Sequence, residues 1–451
     1  MLPPTSRTAR VASRVALGVV VAAAVLTTSL LPASAQASPA VAAAAPDTSQ
    51  DGYWYYEDYG VAEAAAAGYD GTGVKVAVID FQMNPDVPQF STTNLTIHNP
   101  SFCADFPDAK KTVKATTTDY DAGYHGNDMV GLIGGNGIGK GGKAAQLGVA
   151  PGADITFYSA MLYIMPSFYS CPILGDPEGD GDDAFGDAID AAIDDGNDII
   201  MIAMGNGGGN DKLYAAVARA VRENVVIVAA RPNDTLPGTT SDIYNMNGVV
   251  TVQAMQRDGQ VQAASVVADR SIDVVGPGVG ILGNSGGFST FAETSGTSNA
   301  AAITAGFLAV VKSKYPDADG SQLIQSLIRN TGVDDHELTH DPENYTGYGA
   351  VSLRHMLEND PTAYESVNPL LDERDFDRPT KAEIYGSATA APGDTADPGA
   401  GDDPTPAAGV TPLLLIAGGV IGLLVLIGII ILVIVLVRRP RRPGSAPHTT
   451  P

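Results

Sequence analysis

Cysteine, histidine and positive charge are all scarce in this chain of 451 residues. Two cysteines are too few for a disulfide scaffold or a four-cysteine zinc site. Six histidines occur without an HExxH pattern, which leaves no zinc-peptidase helix to consider. Only 26 lysines and arginines stand against 51 acids, a formal charge of −25. That balance disfavours nucleic-acid binding, because phosphate recognition needs clustered cations. Apolar residues make up 44 %, which excludes wholesale disorder. At about 150 residues per domain, the length allows two or three domains, or one large α/β domain with appendages.

The two ends carry their own signals. Residues 1–14 hold Arg7, Arg10 and Arg14 and no acid, an apolar run from Val15 to Leu31 follows, and Ala33-Ser34-Ala35 closes it. This is the order of a secretory signal, with cleavage expected after Ala35 (segment 1–35). Leu413 to Val437 is 25 residues without a charge, long enough to cross a bilayer with some tilt. Arg438, Arg439, Arg441 and Arg442 come next, and positive charge beyond a span stays in the cytoplasm. The expected organisation is therefore a signal peptide (1–35), a short extension (36–51), one exported domain (52–370), a Pro/Ala/Gly/Asp-rich disordered stalk (371–411), a transmembrane helix (412–437) and a basic cytoplasmic tail (438–451). No internal repeat is present. The expected location is the cell membrane, with the domain outside the cytoplasm.

Within the domain, Val74 to Asp80 is a nearly continuous apolar run that ends in an acid, and it suits a buried parallel strand. Asp198 to Met204, Val225 to Ala230 and, more weakly, Val249 to Ala254 read the same way. Between them, Phe185, Ile189, Ala192 and Ile193 share a helical face, and Leu213 to Val221 is a second helical stretch. Alternation of this kind predicts an α/β fold: a doubly wound, mostly parallel sheet covered by helices on both faces. Reactive groups gather beyond the carboxyl ends of such strands, where Asp80 falls.

Three segments can carry chemistry: the strand ending at Asp80, the run His125-Gly126-Asn127-Asp128-Met129-Val130-Gly131, and Gly296-Thr297-Ser298-Asn299-Ala300-Ala301-Ala302. Nucleophilic catalysis by serine needs a base for the hydroxyl proton, an acid to hold the imidazolium and donors for the oxyanion. Asp80, His125 and Ser298 supply the first set, and a serine at a helix start brings backbone N–H groups to the developing charge. Taken singly, the three have plain alternatives: a strand cap, a core histidine and a helix N-cap.

In this order the segments resemble the subtilisin-like serine peptidases over roughly residues 54–355. GTGVKVAVID is similar to the family's aspartate strand, HGNDMVG to its histidine helix and SGTSNAAAITAG to its nucleophile helix. Leu147 to Ala153 resembles the strand entry that follows the histidine helix. Asp198 to Gly205 resembles the edge segment that pairs with substrate, so Ala203, Met204 and Gly205 are implied as the substrate-binding wall. Val225 to Asn233 aligns without a gap to the family's oxyanion strand and implies Asn233 as the donor, with Asn206 as a substitute. The resemblance implies a serine endopeptidase that needs no cofactor and acts on peptides or proteins. A subtilisin-fold protein that only binds peptides or a secretion partner is the alternative.

Departures surround all three motifs. Phe81-Gln82 follows Asp80 where the family has a hydroxyl and a glycine, Arg231-Pro232 precedes Asn233, and Asn299 and Ala302 flank the nucleophile. The anchor, the aromatic opening Trp54-Tyr55-Tyr56 and Gly347-Tyr348-Gly349-Ala350-Val351 are similar to the mycosins, the peptidases of type VII secretion. A type VII secretion complex is thus an implied partner.

Two weaker signals remain. Asp176, Glu178, Asp180, Gly181 and Asp187 have the spacing of a calcium loop, but Pro177 and a missing final Glu count against it, and Asp182 or Asp183 is the expected cap of the next helix. No metal site is assigned, with structural calcium left open. Cys103 and Cys171 are an even pair in an exported domain, and a disulfide is expected.

Overall fold

The computed structural model describes residues 52–386, apart from 166–167, 176–180, 206–207, 234–241, 263–268, 344 and 372–377. They belong to the first of two compact units, Met1–Ala388. The signal, the extension 36–51, the stretch Leu413–Val437, the basic tail, Asn206 and the acids 176–180 lie outside the described residues. Among the described residues no helix is long and apolar enough to cross a membrane.

Along the chain, α1 (Trp54–Asp58) and α2 (Val61–Ala66) lead into β1 (Lys75–Asp80) and β2 (Asn94–Ile97). Helix α3 (Tyr120–Gly134) is followed by β3 (Asn136–Ile138), β4 (Ala144–Leu147), β5 (Asp154–Ser159), β6 (Leu162–Met165) and β7 (Phe168–Ser170). Next come α4 (Gly181–Asp194), β8 (Ile199–Ile202), α5 (Asp211–Arg222), β9 (Val226–Ala230), β10 (Val250–Met255) and β11 (Val274–Pro277). A hairpin of β12 (Val279–Asn284) and β13 (Phe291–Ser295) runs into α6 (Thr297–Lys314), and α7 (Gly320–Arg329), α8 (Leu353–Glu358) and α9 (Lys381–Tyr385) finish the unit.

Seven strands form one sheet in the order β11-β10-β9-β8-β1-β5-β2, and every pairing in it is parallel. The strands read as continuous apolar runs because both faces are covered, and alternate side chains go to opposite layers. From β1, Val76 and Val78 join the layer with α3 and α6, whereas Ala77 and Ile79 join the layer with α4 and α5. Asp80 continues the first series, so its side chain faces the helix that bears His125. The chain goes from β1 to β2 and β5 on one side, then returns as β8 on the other. The gap between β1 and β8 is the switch point where such sheets hold their ligands.

The segment after β4 closes the end of the histidine helix. Gly148, Val149 and Ala150 donate their N–H groups to the carbonyls of Gly135, Leu132 and Ile133, partners that helix ends otherwise lack. A Cβ at Gly148 would lie 2.5 Å from Ile133 O and from Gly134 N, so only glycine admits this approach. At the N-terminal edge, the Tyr53 and Tyr55 hydroxyls donate to Ala145 O and Leu147 O, and Trp54 Nε1 donates to Val279 O at 3.0 Å.

Three expectations are corrected. Asp198–Gly205 is not an edge segment: Ile199–Ile202 is fully buried between β1 and β9, because four consecutive apolar residues need cover on both faces. The fold does not stop at residue 370. Leu371 is buried, and Ile384 of α9 packs with Ala218 and Val221 of α5. There Arg378 bonds Asp211 and Glu383, and its guanidinium lies 4.2 Å from the centre of the Tyr214 ring. Helix α4 opens at Gly181, so Asp183 sits within its first turn, accepting from Asn210 Nδ2, and does not cap it. Asp187 forms an ion pair with Lys212. Among the described residues no three His, Cys, Asp or Glu side chains are grouped to hold a metal. Cys103 and Cys171 are joined in a disulfide that bridges 68 residues of sequence.

Gly148→Ala should cost about 2–3 kcal/mol, the upper range for overpacking, since backbone atoms and not a movable side chain oppose the methyl group. A chemical denaturation midpoint unchanged from the parent would refute this account of how α3 ends.

Candidate active site

Asp80, His125 and Ser298 meet at the carboxyl end of β1. Asp80 is fully buried, and a carboxylate removed from water must be repaid in hydrogen bonds. Its Oδ1 accepts the N–H of Phe81 at 2.7 Å, and the two oxygens face His125 Nδ1 at 2.8 and 2.9 Å. The Phe81 N–H is a donor that the missing side-chain hydroxyl of this motif does not affect. With Nδ1–H committed to Asp80, Nε2 presents its lone pair, and it lies 3.2 Å from Ser298 Oγ. The same hydroxyl is 3.2 Å from Ala203 O at the end of β8 and has one proton for the two acceptors.

Local chemistry brings α3 this close. Asp119 caps the helix by accepting Asp121 N–H. A Cβ at Gly126 would sit 2.6 Å from Gln82 O, so the residue beside His125 must be small. Asn127 then binds both the N–H and the carbonyl of Asn84, at 2.7 and 2.9 Å, and locks the segment after Asp80 to the helix. The imidazole keeps 21 % of its surface exposed. Burial pushes its pKa down, but the Asp80 charge and hydrogen bond outweigh this and raise it above the ordinary 6.5, and Asp128 adds a smaller upward push when it is ionised.

Ser298 is the second residue of α6, whose first-turn N–H groups have no partner within the helix itself. Asn233 stands three residues past the end of β9. Its Oδ1 accepts the Thr297 N–H at 2.9 Å, which fixes the amide and leaves Nδ2 as the outward donor. The Arg231-Pro232 departure is absorbed inward. The Arg231 guanidinium is buried, with Nε 3.3 Å from Asp269 Oδ2, while the Arg231 carbonyl accepts the Thr297 hydroxyl. Asn299 is buried and donates to Thr294 Oγ1 at 3.2 Å, binding the helix start to β13.

The expected substrate wall is only partly brought together. Ala203 presents its carbonyl to Ser298. The Met204 side chain packs in the layer of α4 and α5, opposite that of Ala203, because it follows the odd-numbered Ala203 by one. Gly205 lies against Asp242, whose Oδ2 would be 3.0 Å from a Cβ there. Sequence reading missed Thr297 as the anchor of Asn233, Asn127 as the tie to Asn84, and the pair Asp128–Asn284. Only a buried polar residue within an apolar helix, as at Asn127 and Asp128, signalled any of these.

A model of the subtilase family, Peptidase S8, matches residues 71–349, more than half of the chain, and the chain belongs to that family. It is a serine-type endopeptidase by class. Subtilisin E of Bacillus subtilis (strain 168) is 28 % identical over 299 residues, covering 64 % of this chain and 70 % of its own. Fervidolysin of Fervidobacterium pennivorans is 28 % identical over 326 residues, covering 68 % of this chain and 43 % of its own. In fold the chain is similar to the MycP1 structure from the ESX-1 type VII secretion system. That likeness has a TM-score of 0.53 at 19 % identity and covers 70 % of this chain and 88 % of the other. The MycP3 protease structure gives 0.51 at 23 %, over 67 % and 87 %.

The raised imidazole predicts that His125 titrates with a midpoint above 6.5, so the neutral base is lost as the pH falls through that value. Imidazole NMR of the full chain checks this, and a midpoint below 6.5 would contradict the Asp80 contact as described.

Proposed function

We propose that this peptidase works through Asp80, His125 and Ser298 as a catalytic triad, anchored to the cell membrane by Leu413 to Val437 with its domain outside the cytoplasm. The observation that carries the reading is the unbroken contact from buried Asp80 through His125 to Ser298 Oγ. His125 Nε2 takes the Ser298 proton as Oγ attacks the peptide carbonyl carbon, and Asp80 stabilises the imidazolium. The oxyanion is received by Asn233 Nδ2 and the Ser298 N–H at the positive end of α6. His125 then protonates the leaving amine, and water repeats the cycle on the acyl-enzyme. A substrate N–H that pairs with Ala203 O removes the competing acceptor and leaves the serine proton to His125.

The span, its four following arginines and the signal-like start support the anchored topology. The architecture and the fold likeness to MycP1 and MycP3 support a type VII secretion machine as the partner class. No cofactor enters the proposed cycle.

A fluorophosphonate probe reacts only with an activated serine. The full chain should label and its Ser298→Ala variant should not; a folded parent that fails to label would turn the reading toward a peptide-binding role. Asn233→Ala should lower kcat on a peptide substrate about 10²–10³-fold with KM little changed. An effect confined to KM would remove Asn233 from the oxyanion site.

A further inference from the structure

The histidine helix carries a second buried acid that the proposed reaction does not use. Asp128 stands one turn beyond His125 on α3 and is 5 % exposed. Its Oδ1 accepts two bonds from Asn284 at the end of β12, from the backbone N–H at 2.8 Å and from Nδ2–H at 2.6 Å. Asn284 is itself 4 % exposed, and its carboxamide oxygen is buried with no donor. An ionised Asp128 can only accept, so it would set one acceptor beside another. A carboxylic acid would supply the missing O–H: with Asn284 Nδ2–H already on Asp128 Oδ1, an Oδ2–H given to Asn284 Oδ1 would close a two-bond ring.

We propose that Asp128 is a positioning residue held as the neutral acid, paired in this ring with Asn284, so that the hairpin leading to Ser298 is docked on the helix bearing His125 without a second negative charge there. The surroundings fit a neutral group. From α3 itself the titratable neighbours are His125 and Tyr120. Strand β1 adds only Asp80, bound to His125. Strand β4 offers Gln146, whose Nε2 donates to the Asp128 backbone carbonyl at 3.3 Å. Strand β5 turns Phe157 and Ile155 toward α3, against Gly126 and Gly134. Glu293 of β13 is exposed and lies toward Gly280, and the first turn of α6 is uncharged. Burial pushes the Asp128 carboxyl up to about 7, outweighing the lowering bonds from Asn284, the His125 charge and a Gln146 side-chain bond. Above that pH its proton leaves to solvent, the ring opens, and the new charge holds the proton on His125 more tightly.

The test is pH-difference infrared spectroscopy of the full chain. Surface carboxyls titrate near pH 4, so a protonated-carboxyl band with a midpoint near 7 stands alone. We expect that band in the parent and its loss in Asp128→Asn. No carboxyl band titrating within about one unit of pH 7 overturns the proposal. Should Asp128→Asn fail to fold, Asn284→Ala must move the midpoint, and an unmoved midpoint overturns it equally. A second arm follows the rate of fluorophosphonate labelling with pH. The parent profile should carry two ionisations and Asp128→Asn one, with the His125 midpoint shifted down; an unshifted midpoint refutes the electrostatic part. This arm alone rests on the triad reading. A chain that shows the band but never labels loses the triad reading and keeps the acid–amide pair.

Discussion

The arrangement depends on one buried charge. Asp80 is fully buried, and leaving such a carboxylate unpaired would cost several kcal/mol. Its partners are the next backbone N–H and the imidazole of His125, and only a helix packed directly over the strand end can deliver the second. That demand explains the small residue at Gly126, the clasp of Asn127 on Asn84, and the closure of the helix end by Gly148 to Ala150. The orientation of His125 toward Ser298 then follows. Once Nδ1–H is committed to Asp80, the remaining lone pair has one direction.

The sheet adds a constraint of parity. Side chains of a two-sided parallel strand alternate between layers, so Val76, Val78 and Asp80 share one layer, as do Ile199, Met201 and Ala203. The acid of β1 and the end of β8 border the same gap, and there the Ala203 carbonyl lies 3.2 Å from Ser298 Oγ. Parity also sends Met204 to the opposite layer, which a reading by motif alone did not register.

Much of this was legible in the sequence because its signals are local. Apolar runs ending at Asp80 and Ala230 mark strands, and the small residues after His125 and Ser298 mark helices that must pack closely. What was not legible depends on distance along the chain. Asp128 and Asn284 are separated by 156 positions, and nothing near either one announces the other. The closing strap at α9 was read as stalk because its sequence signals are one capping box and one isoleucine in a stretch of low apolar content. Position within the sheet was equally hidden. An apolar run shows that a strand is covered, but β8 became central only through its pairings with β1 and β9.

The substituted motif positions show how the site tolerates change. Without a hydroxyl after Asp80, the carboxylate still accepts the Phe81 backbone N–H, which every residue except proline carries, so Phe81 can stand there. Proline before Asn233 removes a donor and fixes φ, yet the anchor of Asn233 is the Thr297 N–H from another element, and neither restriction reaches it. Arg231 brings a charge into the core together with its counter-ion, Asp269, and its carbonyl still serves Thr297. In each case the geometry is held by main-chain groups whose positions come from the sheet and the two helices. Side-chain identity around the triad is thus a weaker constraint than the backbone path that carries it. Departures confined to such positions leave Asp80, His125 and Ser298 in contact.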